Sequence, residues 1–92
     1  MKHKILLIDD DQDLLEMLCS IFRRAGYTDL VTASSGPEAL QVWREQQPAL
    51  IVLDVMMPGM DGFEVLREIR RTSHVPVLML TARGEAEAVS YT

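Results

Sequence analysis

Four short apolar runs punctuate the sequence, and stretches with helical spacing lie between them. Lys4-Ile5-Leu6-Leu7-Ile8 is continuous and brief, as in a strand covered on both faces. After a polar break at residues 9–12, Leu14, Leu15, Leu18, Ile21, Phe22 and Ala25 recur on one helical face, and Gly26 is a suitable stop. Asp29 to Ala33 predicts a second, shorter strand. Ser35 predicts an N-cap, with Pro37 in the first turn and Glu38 three residues on. That helix carries Ala39, Leu40 and Trp43 and ends before Pro48. Ala49 to Leu53 is a third strand, closed by Asp54. A loop from Val55 to Met60 contains Pro58-Gly59. Asp61 and Glu64 then predict another capped helix, whose inner stripe is Phe63, Leu66 and Ile69. Val75 to Leu80 is the fourth strand, with Pro76 tolerated near its start. From Ala82 to Thr92 the pattern is ambiguous, and residues 85–89 have helix propensity without a full amphipathic turn.

The order βαβαβαβ predicts an α/β fold with a mainly parallel sheet, right-handed crossovers and helices on both faces. No repeat or linker divides residues 1–92, which read as a single domain. A net charge of −5 argues against direct nucleic-acid binding by this domain. The one cysteine, Cys19, forms no internal disulfide, excludes a cysteine-cluster zinc site and reads as a packed helix residue. The apolar run after Met1-Lys2-His3-Lys4 stops at three aspartates, too soon for a signal peptide or a membrane span. These features predict a reduced, cytoplasmic protein.

In open α/β sheets, ligands bind beyond the carboxyl ends of the strands, where strand order reverses. Here the first strand ends at Asp9-Asp10-Asp11, the third at Asp54 and the fourth at Thr81. With strands one and three as central neighbours, these side chains converge. Two carboxylates ~5 Å apart repel by roughly 3 kcal/mol at an effective dielectric of about 20. A divalent cation removes that cost, and oxygen-only donors favour Mg²⁺, Mn²⁺ or Ca²⁺ over zinc or copper. Mg²⁺ beside a carboxylate suits phosphoryl transfer, with an aspartate as nucleophile. A plainer reading of residues 9–13 is acidic capping of the following helix. An EF-hand is excluded, because Leu14 and Ser20 stand where the loop needs Gly and Glu. Met56, Met57 and Met60 lack the histidine that a copper site would add, and His74 lies in a loop with no catalytic partner. Neither a dinucleotide-binding glycine loop nor a P-loop is present.

The sequence resembles the receiver domains of two-component response regulators. The resemblance rests on Ile5-Leu6-Leu7-Ile8-Asp9-Asp10-Asp11, on Leu53-Asp54-Val55-Met56-Met57-Pro58-Gly59-Met60-Asp61-Gly62, and on Pro76-Val77-Leu78-Met79-Leu80-Thr81-Ala82-Arg83. It covers residues 4–84, and the Leu-Thr-Ala-Arg stretch is most similar to receivers that precede a winged-helix DNA-binding domain. The resemblance implies a three-layer flavodoxin-like fold with strand order 2-1-3-4. It implies that Asp54 accepts a phosphoryl group from a sensor histidine kinase. It further implies Mg²⁺, or Mn²⁺, held by Asp9, Asp10, Asp54 and the backbone carbonyl of Met56, with Pro58 and Gly59 shaping the adjoining loop. Thr81 and Ala82 would form the switch that reads the phosphate. Such a chain is a switch with at most slow self-dephosphorylation rather than a multi-turnover enzyme.

The same resemblance implies a fourth helix, a fifth strand with a following lysine, and a fifth helix, none of which the remaining residues supply. The only lysines are Lys2 and Lys4, and Lys4 stands roughly 16 Å along the strand from Asp9. Arg83 is the remaining candidate cation, and Tyr91 the only displaced aromatic. We therefore expect a C-terminally truncated receiver, an exposed fourth-strand edge, and homodimerisation or segment swapping to cover that edge. Two other functions fit parts of the pattern. One is a non-phosphorylated interaction module or engineered fragment. The other is a haloacid-dehalogenase-like phosphatase using Asp9 and Asp11, in which Asp13 is atypical.

Overall fold

The computed structural model describes residues 3–55, 57, 59–80 and 86–89. Strands β1 (Ile5–Ile8), β2 (Leu30–Ala33), β3 (Leu50–Asp54) and β4 (Val77–Leu80) alternate with helices α1 (Gln12–Arg24), α2 (Gly36–Gln46) and α3 (Gly62–Arg70). The first four strands are parallel in the order β2-β1-β3-β4. A further strand, β5 (Ala86–Val89), adds antiparallel to β4, with Val77 opposite Val89 and Leu80 opposite Ala86.

This last strand corrects two expectations. Residues 85–89 read locally as helix-prone, yet 86–89 are extended. The fourth strand was expected to be an open edge, and β5 pairs with it. Helix propensity amounts to a few tenths of a kcal/mol per residue. The unpaired hydrogen-bonding groups along β4 outweigh it.

The elements begin and end where their chemistry dictates. The Asp11 carboxylate accepts the Asp13 and Leu14 N–H groups at the start of α1. Ser35 Oγ accepts the Glu38 N–H, while the Glu38 carboxylate reaches back to the Ser34 N–H, one residue outside the expected capping box. Asp61 caps α3 by accepting the Glu64 N–H at 2.9 Å. At the C-terminus of α2, Gln47 turns into the left-handed region (φ 48°), and Pro48 prevents continuation.

Strand alternation divides the core between two helical layers. Leu6, Ile8, Ile51, Leu53, Val77 and Met79 face α2 and α3, which contribute Ala39, Leu40, Val65, Leu66 and Ile69. Ile5, Leu7 and Val52 face α1 through Leu15 and Cys19, with Leu78 and Leu80 partly covered beside them. Phe63 does not belong to the inner stripe. It is 49% exposed, and Val65 takes the inward position with Leu66 and Ile69. Residues three apart lag a 3.6-residue turn, so a stripe drawn at 63, 66 and 69 drifts off the buried face at its first member. Ile21, on α1, is likewise 53% exposed. Ile69→Ala is expected to cost about 2–5 kcal/mol, the range for a buried large-to-small change. Phe63→Ala should cost under half of that. Urea unfolding of the two variants checks the ranking.

Candidate metal and phosphoacceptor site

The register of the central strands creates the site. Ile8 lies opposite Leu53, so the next residue on each strand is an aspartate, Asp9 beside Asp54. Asp10 follows at the same end of the sheet. Carboxylate oxygens of Asp9, Asp10 and Asp54 all lie within 4.8 Å of one another. Asp9 is buried at 2% exposure, Asp54 is half-buried and Asp10 is exposed.

Asp9 is held from two directions. Its N–H donates to the Ala33 carbonyl at 3.1 Å, tying it to the end of β2. Its Oδ1 accepts the Asp11 N–H at 2.9 Å. Burial pushes its carboxyl up from the ordinary 3.8 to about 6. The Asp11 N–H opposes that rise, and the negative charges of Asp54 and Asp10 add to it. The acidic run therefore divides its labour. Asp11 caps α1, while Asp9 and Asp10 join Asp54.

The loop after β3 is closed tightly beside Asp54. The Gly62 N–H donates to the Val55 carbonyl at 3.1 Å. A Cβ on Gly62 would stand 2.4 Å from the Asp54 carbonyl oxygen, so only glycine lets α3 begin this close to the strand. Met57 is buried in the core, and Gly59 turns the loop at φ +83°. The predicted site residues Met56, Pro58, Thr81 and Ala82 lie outside the described residues, as do Arg83 and Tyr91. Lys4 is at the opposite end of β1 and donates to Gln46 Oε1 at 2.6 Å. Sequence reasoning missed Gly62 as a site residue, although the Asp61-Gly62 helix start was a usable signal. It also missed the contact between Gly36 and Met60, for which no local signal exists.

The donors fit a hard divalent cation. They are oxygen-only, they lie within reach of one ion, and one is a carboxylate whose burial makes its charge costly without a counterion. The metal-free domain should therefore be stabilised by Asp9→Asn at neutral pH. The gap between 3.8 and about 6 corresponds to about 3 kcal/mol. Below pH 3.8 the side chain is protonated in both folded and unfolded chains, and its contribution is complete. As pH rises through 6 the folded chain must carry the charge, and that stability is lost. Urea unfolding without divalent ions should thus show the Asn variant gaining at pH 7 and not at pH 3.5. An equal difference at both pH values contradicts the assignment.

Comparison with known proteins agrees with this geometry. Residues 5–91 match the response regulator receiver domain family. The chain is 52% identical over 82 residues to the transcriptional regulatory protein CpxR homolog of Haemophilus influenzae, covering 89% of this chain and 35% of that protein. It is 49% identical over 84 residues to the probable transcriptional regulator ycf27 of Pyropia yezoensis, covering 91% and 34%. The chain thus spans about a third of the length of these relatives. The N-terminal domain of a response regulator receiver protein from Methanoculleus marisnigri superposes with a TM-score of 0.82 at 38% identity, covering 89% of this chain and 68% of that one. Chemotaxis protein CheY4 of Vibrio cholerae gives 0.81 at 35%, covering 87% and 68%. No described helix is long and apolar enough to cross a membrane. With its strand order, its paired strand-end aspartates and these relatives, the chain belongs to the receiver domains of two-component response regulators.

Proposed function

We propose that Asp54 is the phosphoacceptor of this domain and that a sensor histidine kinase supplies the phosphoryl group. The observation that carries this reading is the gathering of Asp9, Asp10 and Asp54 within 4.8 Å at the switch point of the sheet. Asp54 is the member suited to the chemistry. It is half-buried, so a donor can reach it, and it sits on a central strand that fixes its position. One carboxylate oxygen of Asp54 forms the new bond to phosphorus as the phosphorus–nitrogen bond of the phosphohistidine breaks. The product is an acyl phosphate, and the imidazole keeps the electron pair. Asp9 and Asp10, with Asp54 and the carbonyl of Met56, would hold Mg²⁺ or Mn²⁺. When bound, the ion supplies the positive charge that offsets the carboxylates and the phosphoryl oxygens.

The modified side chain then carries about −1.5 to −2 charge and three strong acceptor oxygens. Thr81 and Ala82, which follow β4 in the sequence, are the residues proposed to respond to the phosphate. Their response to the phosphate makes residues 1–92 a single switch domain rather than a multi-turnover enzyme. The relatives named above are transcriptional regulators, so the output is proposed to be control of a DNA-binding partner domain. A second copy is the other proposed partner, extending the sheet at β5.

Incubation with Mg²⁺ and acetyl phosphate should add one phosphoryl group, mapped by mass spectrometry to Asp54. Asp54→Asn should abolish labelling and leave the circular dichroism spectrum intact. Labelling at Asp9 with continued turnover would favour a phosphatase, and a folded but unlabelled protein an interaction module. Sedimentation equilibrium should show association rising with concentration. A monomer throughout removes the second copy from the proposal.

A further inference from the structure

We infer that Gly36 and Met60 form a positioning pair that clamps the loop beside Asp54 onto the start of α2. The inference rests on the phosphoacceptor reading of Asp54. Met60 lies in the loop between β3 and α3, immediately before the Asp61 cap, and Gly36 is the first residue of α2. A Cβ placed on Gly36 would stand 2.7 Å from Met60 Cβ and 2.8 Å from both its Cγ and Sδ. Real Cβ contacts do not approach so closely. The side chain of Met60 therefore occupies the volume that any other residue at position 36 would fill.

The contact closes a ring around the acidic cluster. Asp9 donates its N–H to the Ala33 carbonyl at the end of β2. Residues 34 and 35 lead from there to Gly36. Met60 seats on Gly36, Asp61 caps α3, and the Gly62 N–H returns to the Val55 carbonyl beside Asp54. The backbone of Asp9 and the backbone of Asp54 are thus joined twice, once through the β1–β3 ladder and once through this pair. Among the described residues of the loop, Met57 is anchored in the core, and Met60 on Gly36 supplies a second hold next to the Asp61 cap. Gly36 and Met60 touch no substrate, so their effect on phosphorylation acts through the placement of Asp54.

Gly36→Ala forces Met60 out of its seat, although alanine itself favours the helix. It should slow acetyl phosphate labelling at saturating Mg²⁺ by about tenfold or more, because a displacement of ~1 Å can cost up to ~100-fold. It should also speed hydrogen exchange of the Gly62 amide, read by NMR without metal. Adding Met60→Gly relieves the collision but also removes the seat, so it should recover part of both quantities and stop at about the level of Met60→Ala alone. Adding Met60→Ala should restore less, because its Cβ still collides. Gln41→Gly, on the exposed side of α2, weakens the helix without touching Met60 and should leave the labelling rate unchanged. Wild-type labelling and exchange in Gly36→Ala overturn the inference, as does equal slowing by Gln41→Gly or a failed rescue. Should Gly36→Ala not fold, Met60→Ala alone decides, with several-fold slower labelling supporting the pair and a wild-type rate refuting it. A wild-type protein that is not labelled at Asp54 defeats the phosphoacceptor reading instead, and Gly62 exchange then still reports on the pair.

Discussion

The gathering of three carboxylates, one of them buried, is the constraint on which this domain turns. Asp9, Asp10 and Asp54 are held with oxygens within 4.8 Å of one another, and Asp9 is almost wholly removed from water. Burial first, and the nearby charges of Asp54 and Asp10 after it, raise the carboxyl of Asp9 to about 6. The surroundings hold the cluster in place. The β1–β3 ladder fixes the two strand ends, the Ala33 carbonyl holds the Asp9 backbone, and the Asp11 N–H supplies a partial counter-dipole.

The rest of the fold follows from that requirement. A central pair of parallel strands buried on both faces is the stiffest available mount for two side chains, and β1 and β3 are such a pair. Their inward residues are exposed by 2% or less on both helical layers, apart from Leu50 at the start of β3, which is partly buried. Close packing transmits displacement rather than absorbing it. A change at Asp54 therefore reaches β4 through the Asp54–Leu80 pairing and the Val55 N–H bond to the Leu80 carbonyl. This route ends directly before Thr81, the residue proposed to read the phosphate.

The strands were legible because parallel, doubly covered strands leave unbroken apolar runs, as at Ile5–Ile8 and Leu50–Leu53. The helix starts were legible because Ser35 and Asp61 are followed at the third position by glutamates. Asp9 and Asp54 were legible as strand-end acids. What was hidden depends on distance in sequence. Asp10 rather than Asp11 was named only through the family resemblance; the local pattern leaves the choice open, because it turns on where α1 begins, and Asp11 is taken by the cap. The strand at 86–89 exists because β4 offers partners, a fact absent from its own composition. Gly36 and Met60 are 24 positions apart, and neither carries a chemical signature. Only the packing of α2 against the loop brings them together.

The same crowding of acids is why the proposed cation would serve the proposed switch as much as the chemistry. A ligand that binds the folded chain alone stabilises it by mass action. Here the folded chain is the only state that assembles the three acids, so metal binding and the fully formed site are linked. The linkage is concentrated at Asp9, whose buried charge gains most from an opposite one. Asp54 remains half-buried and open to a donor. Adjacent strands thus place a buried carboxylate, Asp9, beside a half-buried one, Asp54, the proposed acceptor. In the proposed chemistry the buried Asp9 would do most to hold the ion, while the half-buried Asp54 would receive the phosphoryl group.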